Sequence, residues 1–109
     1  MQKKTFNTPD ETKTFPKTKL NVIKMGNTVL AQTTFAPGWK WSEQIKPIAG
    51  TQTCQAHHLF YGISGNLKVV MEDRTQTEIG PGDIVDVPAG HDAWVLGDEP
   101  FVAIDITSK

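Results

Sequence analysis

Glycine and proline punctuate this chain about every ten residues, at Gly26, Pro37-Gly38, Pro47, Gly50, Gly62, Gly65, Gly80-Pro81-Gly82, Pro88, Gly90, Gly97 and Pro100. Between them lie short runs of β-branched, aromatic and threonine residues, and no apolar period of 3.6 persists. Such spacing leaves little room for helices. It predicts strands over residues 18–25, 28–35, 39–44, 52–63, 67–72, 75–79, 84–87, 93–96 and 101–106. Gly26-Asn27 suits a two-residue hairpin turn between the first two, because both residues tolerate positive φ. The run 52–63 is long enough to need a bend, at Gly62 or at a bulge near His57-His58. Residues 1–17, polar and interrupted by Pro9 and Pro16, are expected to form an extended arm, and residues 18–109 a single domain. Many short strands in one small chain define an all-β antiparallel sandwich or barrel, since closure disposes of sheet edges. A jelly-roll barrel with no helix is the expected result. Ile84, Val87, Ile104 and the strand 67–71 are expected to supply its core.

At 109 residues the chain can bury roughly two thirds of its unfolded surface in one core. With 38% apolar and 21% charged residues and a net charge of -1, its composition is neither that of a disordered nor of a membrane protein. There is no basic stripe and no phosphate loop, so nucleic-acid binding is not expected. A single cysteine, and no apolar run following Met1, predict a cytoplasmic protein without disulfides. Charge is distributed unevenly. Residues 1–50 hold eight lysines against three acids, and residues 51–109 hold three basic residues against nine acids. That asymmetry predicts pairing between the halves, within one chain or across a homodimer, which exposed strand edges also favour.

The stretch from Gly50 to Trp94 contains the only cysteine and all three histidines. Its two halves resemble the two sequence motifs of the cupin superfamily. Anchored on Gly65, the first motif places His58 at the usual glutamate, Cys54 at the second histidine and Gln52 at the first. Gly82, Pro88 and Gly90 fit the second motif, in which Ala93 and Gly97 replace the usual histidine and asparagine. The segments WKWSEQIKPIAGT (39–51), CQAHH (54–58) and PAGHDAWVLGDEP (88–100) look like a subgroup of small bacterial cupin-domain proteins. The resemblance implies the barrel fold and a ligand set altered from the usual one, and it brings no reaction with it.

On one strand, Gln52, Cys54, Ala56, His58 and Phe60 would share the inner face and His57 the outer. His91 has the parity of Ala93 and so approaches the same cavity. Cys54, His58 and His91 thus form a candidate three-ligand set for one divalent metal, Zn2+ or Fe2+, with a position left open. The same residues also suit a metal-free polar pocket, with Cys54 as a small buried side chain and the histidines as hydrogen-bond donors. A thiolate–imidazole nucleophile is the weaker alternative, because no helix N-terminus activates Cys54. Trp41, Gln52, Phe60, Tyr61 and Trp94 are candidates to line a small-molecule pocket, the aromatic ones equally suiting core or dimer packing. Asp83 and Asp92 suit turns.

Two functions follow. One is a binding or sensing module that holds a small molecule, a divalent metal or both. The alternative is a metal-dependent dioxygenase, isomerase or lyase, with Tyr61 or Glu43 assisting proton transfer.

Overall fold

Period-two alternation sorts the chain between two antiparallel sheets in a computed structural model that describes residues 1–108. The strands are β1 (Glu11–Phe15), β2 (Thr18–Met25), β3 (Thr28–Phe35), β4 (His58–Ser64), β5 (Asn66–Met71), β6 (Gln76–Ile79), β7 (Ile84–Val87), β8 (His91–Leu96) and β9 (Phe101–Ser108). Six of them form one sheet in the order β1-β2-β3-β9-β4-β7, and three form the other in the order β6-β5-β8. The hairpin of β2 and β3 turns at Gly26-Asn27, with Met25 opposite Thr28. Within residues 1–17, β1 pairs with β2 of the same chain and forms one edge of the large sheet.

Two helical turns correct the expectation of an all-strand chain. Residues 39–44 do not form a strand: α1 (Trp41–Gln44) and α2 (Lys46–Ala49) stand there instead. The Gln44 side chain accepts from the Lys40 amide at 2.6 Å, and Asp92 Oδ1 accepts from the Ser42 amide at 3.2 Å, satisfying donors that a helix start leaves unpaired. Asp92 therefore lies on a strand and anchors α1 rather than shaping a turn. The second turn carries Pro47 in its first positions and ends at Gly50 with φ 74°, the usual asymmetry of helix ends. Four-residue helices are too short for a 3.6 period to register in the sequence.

Phe101, Leu67 and Ile79 are fully buried between the sheets, joined by Phe35, Phe60 and Trp39. Phe35 and Trp39 stack at 3.8 Å with an interplanar angle of 3°, and the indole Nε1 donates to Thr18 Oγ1 at 2.9 Å. Leu67, Val69 and Val87 are buried as expected. Ile84 is not: it is 71% exposed, because it shares the outer face with Asp86 while Val85 and Val87 turn inward. Ile104 likewise lies on the outer face, half-buried. Asp83 behaves as turn chemistry predicts, accepting from the Gly80 amide at 2.8 Å. Among the described residues, no helix is long and apolar enough to cross a membrane.

Candidate metal centre

The run 52–63 is not one strand. Cys54 makes an isolated bridge to His91 at the edge of the small sheet, donating to the His91 carbonyl at 2.8 Å, whereas β4 begins at His58 and pairs with β7 and β9 of the large sheet. Residues 55–57 carry the chain from one sheet to the other. Cys54 and His58 therefore face each other from different walls, while Gln52 and Ala56, which simple alternation would send inward, are exposed. Farther along, the register of β4 shifts between Gly62 and Ser64, near one of the two expected bends.

The ligand atoms of Cys54, His58 and His91 all lie within 4.8 Å of one another. Cys54 Sγ is 3.6 Å from His58 Nε2. Zn–S and Zn–N bonds of about 2.3 and 2.0–2.1 Å at a tetrahedral angle would set sulfur and nitrogen about 3.6 Å apart. His58 Nδ1 donates to Asp105 Oδ2 at 2.6 Å, and His91 Nδ1 donates to the Pro88 carbonyl at 2.7 Å. Each ring is thereby oriented with Nε2 left for a ligand, the arrangement usual among metal-binding histidines. Asp105 Oδ1 is buried and accepts no hydrogen bond. A carboxylate so placed needs positive charge nearby, which a protonated His58 supplies and which a divalent ion on the far side of the ring would also supply. One thiolate and two imidazoles suit Zn2+ or Fe2+.

Burial acts to raise the Cys54 thiol, but hydrogen bonds from His58, His91 and the Ala56 amide outweigh it and bring the pKa down to about 6. Burial acts to lower His58, but hydrogen bonds to Asp105 and Cys54 outweigh it and bring the pKa up to about 9. Between those values the metal-free pair is thiolate and imidazolium. The lowered Cys54 pKa adds stability as pH rises from about 6 toward the ordinary thiol value of 9.0. The raised His58 pKa removes stability as pH rises from 6.5 through about 9. The two slopes oppose each other, so this pair should leave the stability of metal-stripped protein nearly flat from pH 6.5 to 9. Cys54→Ala removes the rising contribution together with the thiolate's share in raising His58, so only the smaller fall that Asp105 sustains remains, and its melting temperature should fall gently with pH over that span. Thiolate absorbance of the wild type, measured against Cys54→Ser, should rise with a midpoint near pH 6. A midpoint near the ordinary thiol value would exclude the ion pair.

The cluster sits on a cavity of about 210 Å³ between the sheets. Trp41 and Phe60 line it together with Phe35, Trp39 and Asp105. Three other candidates from the sequence lie elsewhere. Gln52 is exposed and accepts from Lys46 Nζ at 2.9 Å. Tyr61 is 45% exposed on the outer face of β4, and Trp94 faces out from β8 with the Lys40 ammonium 5.3 Å from its ring centroid. Glu43 is exposed on α1. His57 is also exposed and pairs with Asp86. Asp105 escaped sequence reasoning, although an acid sharing the parity of Phe101 and Ala103 on a core strand was a usable signal.

No protein-family model matches the sequence, and no curated protein matches it. Solved structures do. The polyketide cyclase RemF from Streptomyces resistomycificus superposes with a TM-score of 0.69 at 15% identity, over 99% of this chain and 79% of that one. KdgF from a Halomonas species gives 0.63 at 17% identity, over 90% and 84% of the two chains. A cupin-like protein from Thermotoga maritima gives 0.59 at 17% identity, over 84% and 68%. The chain is a small cupin-fold protein, and at such identities the likeness carries the fold alone.

Proposed function

We propose that this chain holds one divalent ion, zinc or ferrous iron, on Cys54, His58 and His91, and binds a compact, mainly apolar molecule beside it. The two sheets are read as a jelly-roll barrel in a cytoplasmic protein, with the cavity as the barrel's interior. The observation that carries the proposal is the three-ligand cluster, its histidines oriented by Asp105 and Pro88, opening on that cavity. Size limits the guest. A cavity of 150 Å³ accepts benzene, so about 210 Å³ suits a molecule of roughly eight to ten non-hydrogen atoms. Charge limits it too: among the described residues no lysine or arginine lines the cavity, so an anionic guest would have only the metal to neutralise it.

A metal-dependent enzyme is the second reading, favoured by the ligand position left open toward the cavity. A bound ion would supply Lewis-acid chemistry there. Against it, the two residues considered for proton transfer, Tyr61 and Glu43, both lie outside the cavity, which is why binding is preferred.

Elemental analysis of protein purified without a histidine tag tests the centre. Near-stoichiometric zinc or iron is expected in the wild type, with loss in Cys54→Ala and His91→Ala. Asp105→Asn should weaken metal affinity about 10–100-fold, because it removes the charge that orients His58. A wild-type chain that takes up no Zn2+, Fe2+, Mn2+ or Ni2+ would sink the metal and leave a metal-free binding cavity.

A further inference from the structure

Cys54 is the single sulfur ligand of the candidate centre and the single cysteine of the chain. It is also the ligand with the slightest hold on the fold. His58 opens β4 and His91 opens β8, and each ring is fixed by a hydrogen bond at Nδ1. Cys54 instead lies in the segment that links the two sheets, followed by three exposed residues, and meets β8 through an isolated bridge.

That ligand differs from the other two in chemistry as well. A thiolate is readily oxidised, and coordination to a metal keeps a thiol deprotonated, whereas imidazole is not on the same oxidation ladder. The cavity selects what reaches it. Cys54 borders the cavity of about 210 Å³ whose walls include Trp41, Ile45, Phe60, Val87 and Ala93, and among the described residues no lysine or arginine lines it. An uncharged oxidant with a small hydrocarbon body is admitted at little cost, and a charged one is not.

We propose that Cys54 is a site of reversible oxidation by small organic hydroperoxides, and that its oxidation releases the ion. The inference rests on the metal reading above. The sulfur attacks the terminal peroxide oxygen, so that an S–O bond forms as the O–O bond breaks, and the hydroperoxide's proton ends on the departing alkoxide. The products are a sulfenate and an alcohol. Cys54 loses two electrons and the hydroperoxide gains them. The soft thiolate is thereby lost, leaving two imidazoles where three ligands held the ion. With no second cysteine in the chain, no disulfide within it can follow. An external small thiol restores the site: two such thiols become one disulfide, and the sulfenate oxygen leaves as water.

The test loads the full chain with one equivalent of Zn2+, adds tert-butyl hydroperoxide, reads free zinc with a chromophoric chelator, and reads Cys54 by mass spectrometry after trapping with a sulfenic-acid reagent. Zinc is expected to leave in step with the gain of one oxygen at Cys54, with zinc affinity falling more than about 100-fold and dithiothreitol restoring both. Relative to their rates on free cysteine, tert-butyl hydroperoxide should outpace hydrogen peroxide about tenfold, because the cavity buries its hydrocarbon part. Cys54→His supplies a third imidazole and should keep its zinc under the same treatment. Zinc retained with Cys54 unmodified, or zinc lost without modification of Cys54, overturns the inference and leaves the metal centre standing. Hydrogen peroxide acting faster on that scale overturns the choice of an organic hydroperoxide. A wild type that takes up no zinc before any peroxide is added sinks the centre itself, and this inference with it.

Discussion

Phe101→Ala is expected to lower the unfolding free energy by about 3–5 kcal/mol, a large part of the ~5–15 kcal/mol typical of a domain this size. Phe101 has no exposed surface and lies between Phe35 and Phe60, with ring centroids 6.1 and 6.3 Å away. Its neighbours come from β3 and β4, the two strands that flank β9. Neither can move into the space without breaking its ladder, so removing the ring leaves a cavity instead of a collapse. Chemical or thermal denaturation reads the loss, as a fall in melting temperature of well over 10 °C. Ile84→Ala is the matched control. At 71% exposure it should cost less than about 0.5 kcal/mol. Equal costs at the two positions would mean that the inner and outer faces are assigned wrongly.

Gly65→Ala should be comparably severe for a different reason. Gly65 turns β4 into β5 with φ 72°, and a Cβ there would lie 2.2 Å from the Pro100 carbonyl oxygen and 2.9 Å from Phe101 Cα. Both contacts are backbone, held by the pairing of β9, and neither can swing aside. Left-handed strain of about 1–2 kcal/mol adds to overpacking of about 1–3 kcal/mol or more, so the loss should approach or exceed 3 kcal/mol. Gly26→Ala separates the two contributions. It has φ 59° but nothing within 4 Å of its Cβ, and should show the strain alone. If Gly65→Ala cost no more than Gly26→Ala, the close approach of the β4–β5 turn to Pro100 would be wrong.

Much of the fold was legible because strands and tight turns are encoded locally. The hairpin of β2 and β3 follows from two alternating runs around Gly26-Asn27, and the inward set Leu67 and Val69 from the same period. Ile84 shows how alternation can be misread. It stands at odd parity to Val87, so both could not be inside, and the pairing of Tyr61 with Ile84 and His58 with Val87 decided which one was. The helical turns at 41–49 were harder. Their only local marks are the Pro47 and Gly50 boundaries, and α1 is held from outside by Asp92, fifty residues later in the chain.

The candidate centre divides along the same line. Residue types and parity by themselves singled out Cys54, His58 and His91 as the chain's candidate soft and nitrogen ligands and a cavity as their natural place. Only the tertiary structure decided that Cys54 and His58 belong to different sheets, that Asp105 of the last strand closes on His58, and that Tyr61 turns away. The physical reason is range. Local alternation specifies two faces for each strand, but which face is buried, and which distant strand lies opposite, is set by how the sheets pack as a whole.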